Sequence, residues 1–164
     1  MTDDVAGDIS LRPLTEDDVP VLFDIQLDEE AQHLAAFTDA ATARDADAFR
    51  QKYRRILADD AIVNRVVEVR GEVVGSVATF PIEGDTELTY WIRKDWWGRG
   101  LATAAVAALL DEVTERPIQA RVVEDNAGSV RVLERNGFVR VGSEDSFAPG
   151  RQATVTELIF ELGD

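Results

Sequence analysis

The chain has 164 residues, with 32 acidic and 17 basic side chains, and its formal charge is −15 at neutral pH. This length predicts one domain over residues 1–164, with a core at about 9–162, because domains usually span about 100–200 residues. The charge disfavours partners such as a nucleic-acid backbone or an anionic membrane, which require clustered Lys and Arg. A hydrophobic content of 45% excludes an acidic disordered chain, which lacks the apolar residues for a core.

The sequence has no cysteine, and His33 is its single histidine. The lack of cysteine excludes disulfides, a thiolate nucleophile and Cys-ligated zinc, and we expect no metal. A Ser-His-Asp triad would need His33, but no Gly-x-Ser-x-Gly motif surrounds Ser76, Ser129 or Ser143. An HxxxD acylase motif is also missing, because Phe37 stands at the position of the aspartate. Hydrolases and acyl-cysteine enzymes are therefore excluded.

The N-terminal residues resemble no targeting segment. Residues 1–8 are polar and acidic, and no apolar run approaches the roughly 20 residues that span a bilayer. We therefore expect a cytoplasmic protein.

The first third of the chain predicts one strand and two helices. A short strand covers residues 9–14, and Thr15 is an N-cap that begins a helix running to about Leu27. A second helix covers residues 45–57, where the apolar residues fall on one face. The Ala-rich segment Asp28–Arg44 between them is predicted as a loop or broken helix that borders a pocket.

The rest of the chain predicts a strand meander followed by alternating helices and strands. Strands are expected at 62–70, 73–80, 86–92, 118–123, 138–141 and 153–162, and helices at 101–113 and 126–136. The order is β-α-α-β-β-β-α-β-α-β-β, with a β-α-β crossover from 86–92 to 118–123. The predicted fold is mixed α/β (α+β), with one mostly antiparallel sheet flanked by helices.

A glycine loop precedes the predicted helix at 101–113. Residues 96–103 read WWGRGLAT, and glycines before a helix N-terminus favour an anion such as pyrophosphate. Arg93, Lys94 and Arg99 add a local positive charge. A Walker loop is excluded because no Gly-Lys-Ser/Thr follows. A dinucleotide site lacks its third glycine and follows antiparallel strands. A tight turn with surface charges remains the alternative.

Two motifs resemble those of the GCN5-related N-acetyltransferases (GNAT). Residues 97–102 are similar to the acyl-CoA loop of that superfamily, Q/R-x-x-G-x-G/A. Residues 125–129, DNAGS, together with Asn136-Gly137-Phe138, resemble its later D-N-x-x-S to G-F segment. The opening LRPL at 11–14 and ELTYWI at 87–92 resemble the RimJ/RimL-like branch of ribosomal-protein N-terminal acetyltransferases. The resemblance covers about residues 9–162.

The resemblance implies the GNAT fold, with the sheet splayed open near the end of the 86–92 strand. Acetyl-CoA is the implied cosubstrate, with its pantetheine arm at the splay and its pyrophosphate on the N–H groups of 98–103. The implied acetyl-CoA-binding residues are Trp91, Ile92, Arg93, Trp97, Gly98, Arg99, Gly100, Leu101, Ala102, Thr103, Asn126 and Ser129.

The same resemblance suggests three groups for the chemistry. Glu87 is the expected base, acting through water, and the backbone N–H of Ile92 is the expected oxyanion donor. Many relatives place a tyrosine acid seven residues after the asparagine, but Leu133 occupies that position. Ser129 is the expected substitute that protonates or hydrogen-bonds the CoA sulfur. A solvated strand glutamate, a first-turn serine and, for Asn126, a simple N-cap are the structural alternatives.

The predicted enzyme acetylates a primary amine by direct attack in a ternary complex, since no cysteine can carry the acetyl group. The acceptor is expected to be a protein or peptide N-terminus; a small amine of the polyamine or aminoglycoside type is the alternative. A non-catalytic acyl-CoA-binding module is the rival from another class. The net charge and the acids at 28–30 favour a cationic acceptor, and His33 could border it. A monomer or homodimer is expected.

Overall fold

The computed structural model describes residues 5–35, 44–149 and 151–163. Short 3-10 turns cover Val5–Asp8, Glu16–Asp18 and Lys94–Trp96. The helices are α1 (Val19–Gln26), α2 (Glu29–Ala35), α3 (Ala46–Leu57), α4 (Leu101–Glu112) and α5 (Ala127–Arg135). The strands are β1 (Ile9–Pro13), β2 (Val63–Val69), β3 (Glu72–Ile82), β4 (Asp85–Ile92), β5 (Ile118–Val123), β6 (Val139–Ala148) and β7 (Ala153–Leu162).

The seven strands form one sheet in the order β1-β2-β3-β4-β5-β7-β6. Every neighbouring pair is antiparallel except β4 and β5, which run parallel because α4 connects them as a crossover. This mixed, mostly antiparallel sheet with flanking helices confirms the predicted fold class.

The parallel junction between β4 and β5 is short. Only Thr86 with Ile118 and Glu87 with Gln119 are paired across it. β4 continues to Ile92 and β5 to Val123 without further pairing between them. The sheet therefore opens into a gap beyond Glu87, as the resemblance implied.

Two layers of helices cover opposite faces of the sheet. Val66 and Val67, which are neighbours on β2, point to opposite faces and belong to different apolar clusters. Val66 packs with α1 and α3, whereas Val67 belongs to the larger cluster that contains Leu109 of α4 and Leu133 of α5. We call these the α1/α3 face and the α4/α5 face.

The start of α1 is fixed by a buried carboxylate. Asp18 accepts hydrogen bonds from the Thr15 backbone N–H, at 2.8 Å, and from the Arg12 guanidinium, at 2.7 and 2.9 Å. The hydrogen bond from Arg12 lowers the pKa of Asp18, which keeps the carboxylate charged despite its burial. The predicted N-cap at Thr15 is confirmed as part of a capping box.

The structure corrects two element boundaries. The segment Asp28–Arg44, predicted as a loop or broken helix, begins with α2, which is capped by the Asp28 carboxylate accepting from the Ala31 N–H at 2.9 Å. Residues 36–43 of that segment lie outside the described part. β6 extends to Ala148 and not only to Val141, because it pairs with β7 along its length after a register shift between Arg140 and Gly142. Among the described residues, no helix is long and apolar enough to cross a membrane.

Candidate active site

A cavity of about 890 Å³ occupies the gap between β4 and β5. Its walls include Leu22 and Phe49 on the α1/α3 face, and Leu101 and Leu133 on the α4/α5 face. Because these residues belong to opposite helical layers, the cavity reaches both faces of the sheet through the gap. A ligand bound on one face can therefore meet a second ligand that enters from the other.

The open edge of β4 presents backbone groups to this cavity. Arg93 donates its N–H to the carbonyl of Val74 at 2.7 Å, and Ile92 lies opposite Gly75 in the antiparallel register. This pattern makes Ile92 and Gly75 a non-hydrogen-bonded pair, so the N–H of Ile92 points away from β3 and towards the gap. Tyr90, two residues earlier, has the same orientation. The edge can therefore pair with an extended ligand.

Gly75 lets β3 and β4 approach more closely than any other residue would allow. A Cβ atom at position 75 would lie 2.0 Å from the carbonyl oxygen of Trp91, which is a backbone atom that cannot move aside. The glycine therefore fixes the position of the β4 edge that faces the cavity.

The glycine loop joins the end of β4 to α4. Gly98 and Gly100 both have φ of +78°, a left-handed conformation that favours glycine. The indole N–H of Trp97 donates to the carbonyl of Ile92 at 2.7 Å and so ties the loop to β4. α4 begins at Leu101, and its first N–H groups have no acceptor within the helix, which makes this turn suited to an anion.

The positive charges around the loop are mostly engaged elsewhere. Arg93 pairs with Glu72 and Asp95, both at 2.7 Å, and Lys94 pairs with Glu30 at 2.7 Å. The guanidinium of Arg99 lies 4.9 Å from the centre of the Trp96 ring.

Two arginines on α5 line the cavity, and sequence reasoning missed them. They are Arg131 and Arg135. Their four-residue spacing on one helix was the available signal. The predicted acetyl-CoA-binding residues all line the cavity except Arg93 and Arg99.

The first turn of α5 closes the α4/α5 side of the cavity. Asn126 is the N-cap, and its side-chain oxygen accepts from the N–H of Ser129 at 3.2 Å. The hydroxyl of Tyr90 donates to the Ser129 hydroxyl oxygen at 2.8 Å. Burial raises the pKa of Tyr90 to about 12, so its phenol stays protonated. Leu133 is buried in the core and offers no proton donor.

Glu87 lies at the closed end of the gap and is not part of the cavity wall. It is half-buried between Phe80 and Gln119, and this burial raises its pKa against the opposing charge of Arg121. Arg121 does line the cavity, and so does Glu157 of β7, which pairs with it at 3.1 Å. Among the described residues, Glu157 is the carboxylate that lines the cavity. Sequence reasoning missed it, because its strand lies far from β4 in the sequence.

The acids predicted near the acceptor are largely engaged. Asp28 caps α2 and lies 3.9 Å from Lys94, which also pairs with Glu30. Glu29 has an exposed side chain, and its carboxylate lies 3.8 Å from Arg44. The side chain of His33 lies outside the described part of the structure. From the α1/α3 face, the cavity is instead lined by Lys52 and Tyr53, with the Tyr53 ring 4.7 Å from Phe49.

Comparison with known proteins identifies the fold and the family. The profile of the acetyltransferase (GNAT) domain matches residues 8–139. The chain is 25% identical to the uncharacterized N-acetyltransferase p20 of Bacillus licheniformis, over 94% of this chain and 92% of that protein.

Solved structures with the same fold include Mycobacterium smegmatis RimJ in complex with CoA-disulfide. It has a TM-score of 0.79 and 24% identity, and the match covers 97% of this chain and 83% of that one. Spermidine N-acetyltransferase from Vibrio cholerae, in complex with CoA and spermine, has a TM-score of 0.78 and 22% identity, over 94% of this chain and 96% of that one.

The family match and the named relative thus define an acyltransferase. The chain belongs to the acetyltransferase (GNAT) domain family.

Proposed function

We propose that this protein transfers the acetyl group of acetyl-CoA to the α-amine of a protein or peptide N-terminus, by direct attack within a ternary complex. The observation that carries this proposal is the cavity that opens on both faces of the sheet through the gap between β4 and β5. Acetyl-CoA enters from the α4/α5 face, and the amine enters from the α1/α3 face.

The described groups fit a long, anionic thioester. Its pantetheine arm lies along the open backbone edge of β4. Its pyrophosphate binds the N–H groups that follow Gly98 and Gly100, where the α4 dipole adds partial positive charge.

Three groups carry the reaction in this proposal. The N–H of Ile92 stabilises the oxyanion that forms when the amine attacks the thioester. Glu87, which lies outside the cavity wall, accepts the amine proton through water, and its raised pKa makes it a stronger base than an ordinary glutamate. Ser129 donates a hydrogen bond to the departing sulfur.

Even with a raised pKa, the Glu87 carboxylate is a weak base, so it favours an acceptor amine that is already partly neutral. An N-terminal amine has a pKa of about 7.7–8.0, so about a third of it is already deprotonated at pH 7.5. A lysine-like amine has a pKa of about 10.4, and only about one molecule in a thousand is neutral at that pH. A carboxylate base acting through water therefore suits an N-terminus. The fold shared with M. smegmatis RimJ is consistent with this choice.

A small amine is the second candidate, and the likeness to the V. cholerae spermidine enzyme favours it. We propose a cationic acceptor in either case, because the net charge of −15 attracts cations at low salt. The pairing of Asp28 and Glu30 with Lys94 reduces the local contribution of these acids, so the expected effect is modest.

The experiment compares four acceptors by detection of released thiol. They are a peptide with Arg at its second position, the same peptide with Glu there, the N-acetylated Arg peptide, and spermidine. We expect both free peptides to react, the Arg peptide several-fold faster at low salt, with the difference fading as salt screens the charges over a Debye length of about 10 Å at 0.1 M.

Each other outcome changes the proposal in a defined way. Equal rates for the two free peptides at low salt would reject the electrostatic argument alone. Reaction of spermidine without reaction of either peptide would replace the N-terminal acceptor with a small amine. Binding of acetyl-CoA without thiol release from any acceptor would favour a non-catalytic module.

A further inference from the structure

Two hydroxyl groups meet across the mouth of the gap. Tyr90 projects from β4, Ser129 lies in the first turn of α5, and their oxygens are 2.8 Å apart. Both residues line the cavity. Within the described residues, this is the one hydrogen bond that either hydroxyl makes. The pair therefore links two walls of the cavity at a point that a thioester lying along β4 must pass.

The hydrogen bond between the two hydroxyls has a direction. A serine or tyrosine hydroxyl has a single hydrogen, so one of the two must donate and the other accept. In the structure the phenol of Tyr90 is the donor and the Ser129 oxygen is the acceptor, and the Tyr90 ring packs against the apolar cluster of the α4/α5 face. When Tyr90 donates, the hydrogen of Ser129 is left to point into the cavity.

We propose that Tyr90 is a positioning residue that aims the Ser129 hydroxyl hydrogen at the thioester sulfur. This inference rests on the proposed function and extends it to a residue from another element. The phenol from β4 supplies, through Ser129, the polarising group that Leu133 cannot supply from α5. Tyr90 thus acts from the strand that binds the thioester and not from the helix.

The proton balance makes the pair a hydrogen-bond donor and not a proton source. When the C–S bond breaks, its electron pair passes to sulfur, and the Ser129 hydrogen bond stabilises the thiolate. The amine loses one proton as the amide forms, and that proton neutralises the thiolate. Because burial raises the pKa of Tyr90 to about 12, above the usual thiol value of about 8.5, the phenol keeps its proton throughout.

The first test is a double-mutant cycle. Tyr90→Phe removes only the hydroxyl and keeps the ring, and we expect kcat to fall about 10-fold with the KM for acetyl-CoA changed less than about threefold. Ser129→Ala should have an effect of similar size. If Tyr90 acts through Ser129, the double variant should be no slower than Ser129→Ala alone. Ser143→Ala on exposed β6 is the control for loss of a hydroxyl and should leave the rate unchanged.

The second test measures the hydrogen bond from Ser129 to the CoA sulfur by binding affinity, without catalysis. Calorimetry compares CoA with desulfo-CoA at alkaline pH, where part of the CoA thiol is ionised. The wild-type protein should bind CoA more tightly, and both Tyr90→Phe and Ser129→Ala should lose that preference.

The outcomes separate this inference from the proposed function. Additive effects in the cycle, or a Tyr90→Phe variant that keeps the preference for CoA, would overturn the role of Tyr90 while leaving the acetyltransferase intact. A wild-type protein that acetylates no amine would refute the proposed function. The ratio of CoA to desulfo-CoA affinity would still decide whether Tyr90 aims Ser129 at the sulfur.

Discussion

The two halves of the cavity are built from different kinds of groups. Towards the α4/α5 face, the wall consists mainly of backbone: the edge of β4, the loop with Gly98 and Gly100, and the start of α4. Towards the α1/α3 face, the wall consists of side chains from several elements, among them Lys52, Tyr53 and Glu157.

The difference shows which half tolerates change. A backbone wall depends on conformation, so a few glycines determine it and most side-chain substitutions leave it intact. A side-chain wall depends on residue identity and can be altered one residue at a time. We therefore expect glycine substitutions on the α4/α5 side to disrupt the wall or abolish acetyl-CoA binding. Substitutions of polar side chains on the α1/α3 side should change the kinetics with the acceptor.

Gly75→Ala should have the largest effect of these substitutions, because it disrupts the packing of β3 against β4, whose edge forms the backbone wall. The added Cβ would meet the Trp91 carbonyl at 2.0 Å and force β3 and β4 apart. We expect the free energy of unfolding to fall by about 3 kcal/mol or more, as measured by denaturant titration. Gly142→Ala is the matched strand control, since its Cβ would lie 3.9 Å from the nearest atom, and it should change stability by less than about 1 kcal/mol. Similar stability of the two variants would show that the strands adjust.

Gly100→Asp tests the same half at the anion site. The substitution puts a carboxylate where the pyrophosphate is proposed to bind, and calorimetry should show a loss of acetyl-CoA affinity of about 100-fold or more. Gly71→Asp is the control, because Gly71 has a comparable φ of +86° against +78° but lies in the β2–β3 turn outside the cavity wall. It carries the same kind of backbone strain and should bind acetyl-CoA normally. Equal affinity of the two variants would contradict the loop assignment.

The acceptor half is tested by two isosteric substitutions. Glu87→Gln removes the proposed base, so kcat should fall by about 100-fold at neutral pH and recover partly at higher pH, where more amine is neutral.

Glu157→Gln breaks the pair with Arg121 and should mainly raise the KM for the acceptor, by several-fold. Steady-state kinetics with the reactive peptide distinguish the two, and a larger loss of kcat in Glu157→Gln would transfer the role of base to that residue.

The raised pKa of Glu87 predicts how Glu87→Gln affects stability, which separates a loss of catalysis from a loss of folding. Because the folded state binds this proton more tightly than the unfolded chain, the contribution to stability is present at low pH and is lost as pH rises through the folded pKa. At pH 7 the charged, half-buried carboxylate therefore opposes folding, and Glu87→Gln should not lower the free energy of unfolding. A less stable variant would leave the loss of rate open to a structural cause.

The sequence locates the local motifs that border the cavity, but it does not locate the side chains that only strand pairing brings together. Gly98, Gly100 and Asn126 stand out in contiguous motifs. The structure gives both glycines a φ of +78° and confirms Asn126 as the N-cap of α5, whereas their contacts with acetyl-CoA stay predictions. Arg121 and Glu157 are brought together only by strand pairing across the sheet. No local pattern reveals such a pair.

The elements show the same limit. The strand over 118–123 was predicted with its observed boundaries, because its alternating apolar residues lie between Pro117 and the acidic pair Glu124-Asp125. For Asp28–Arg44 the sequence left a loop and a broken helix open, and the structure shows a short helix, α2, at its start. The Asp28 cap is local, but the contact of Glu30 with Lys94 joins positions far apart in the chain. The roles of Glu87, Ser129 and Ile92 in catalysis stay predictions.

The two-residue junction between β4 and β5 has a thermodynamic consequence. The sheet consists of a four-stranded part, β1 to β4, and a three-stranded part, β5 to β7, that share only two paired positions. A ligand that lies in the gap and contacts both parts stabilises the folded sheet, because it binds only while the two parts are together. At a ligand concentration of 100 times Kd, this linkage is worth about 2.7 kcal/mol. Each turnover that releases the ligand would then remove this contribution to the free energy that holds the two parts of the sheet together.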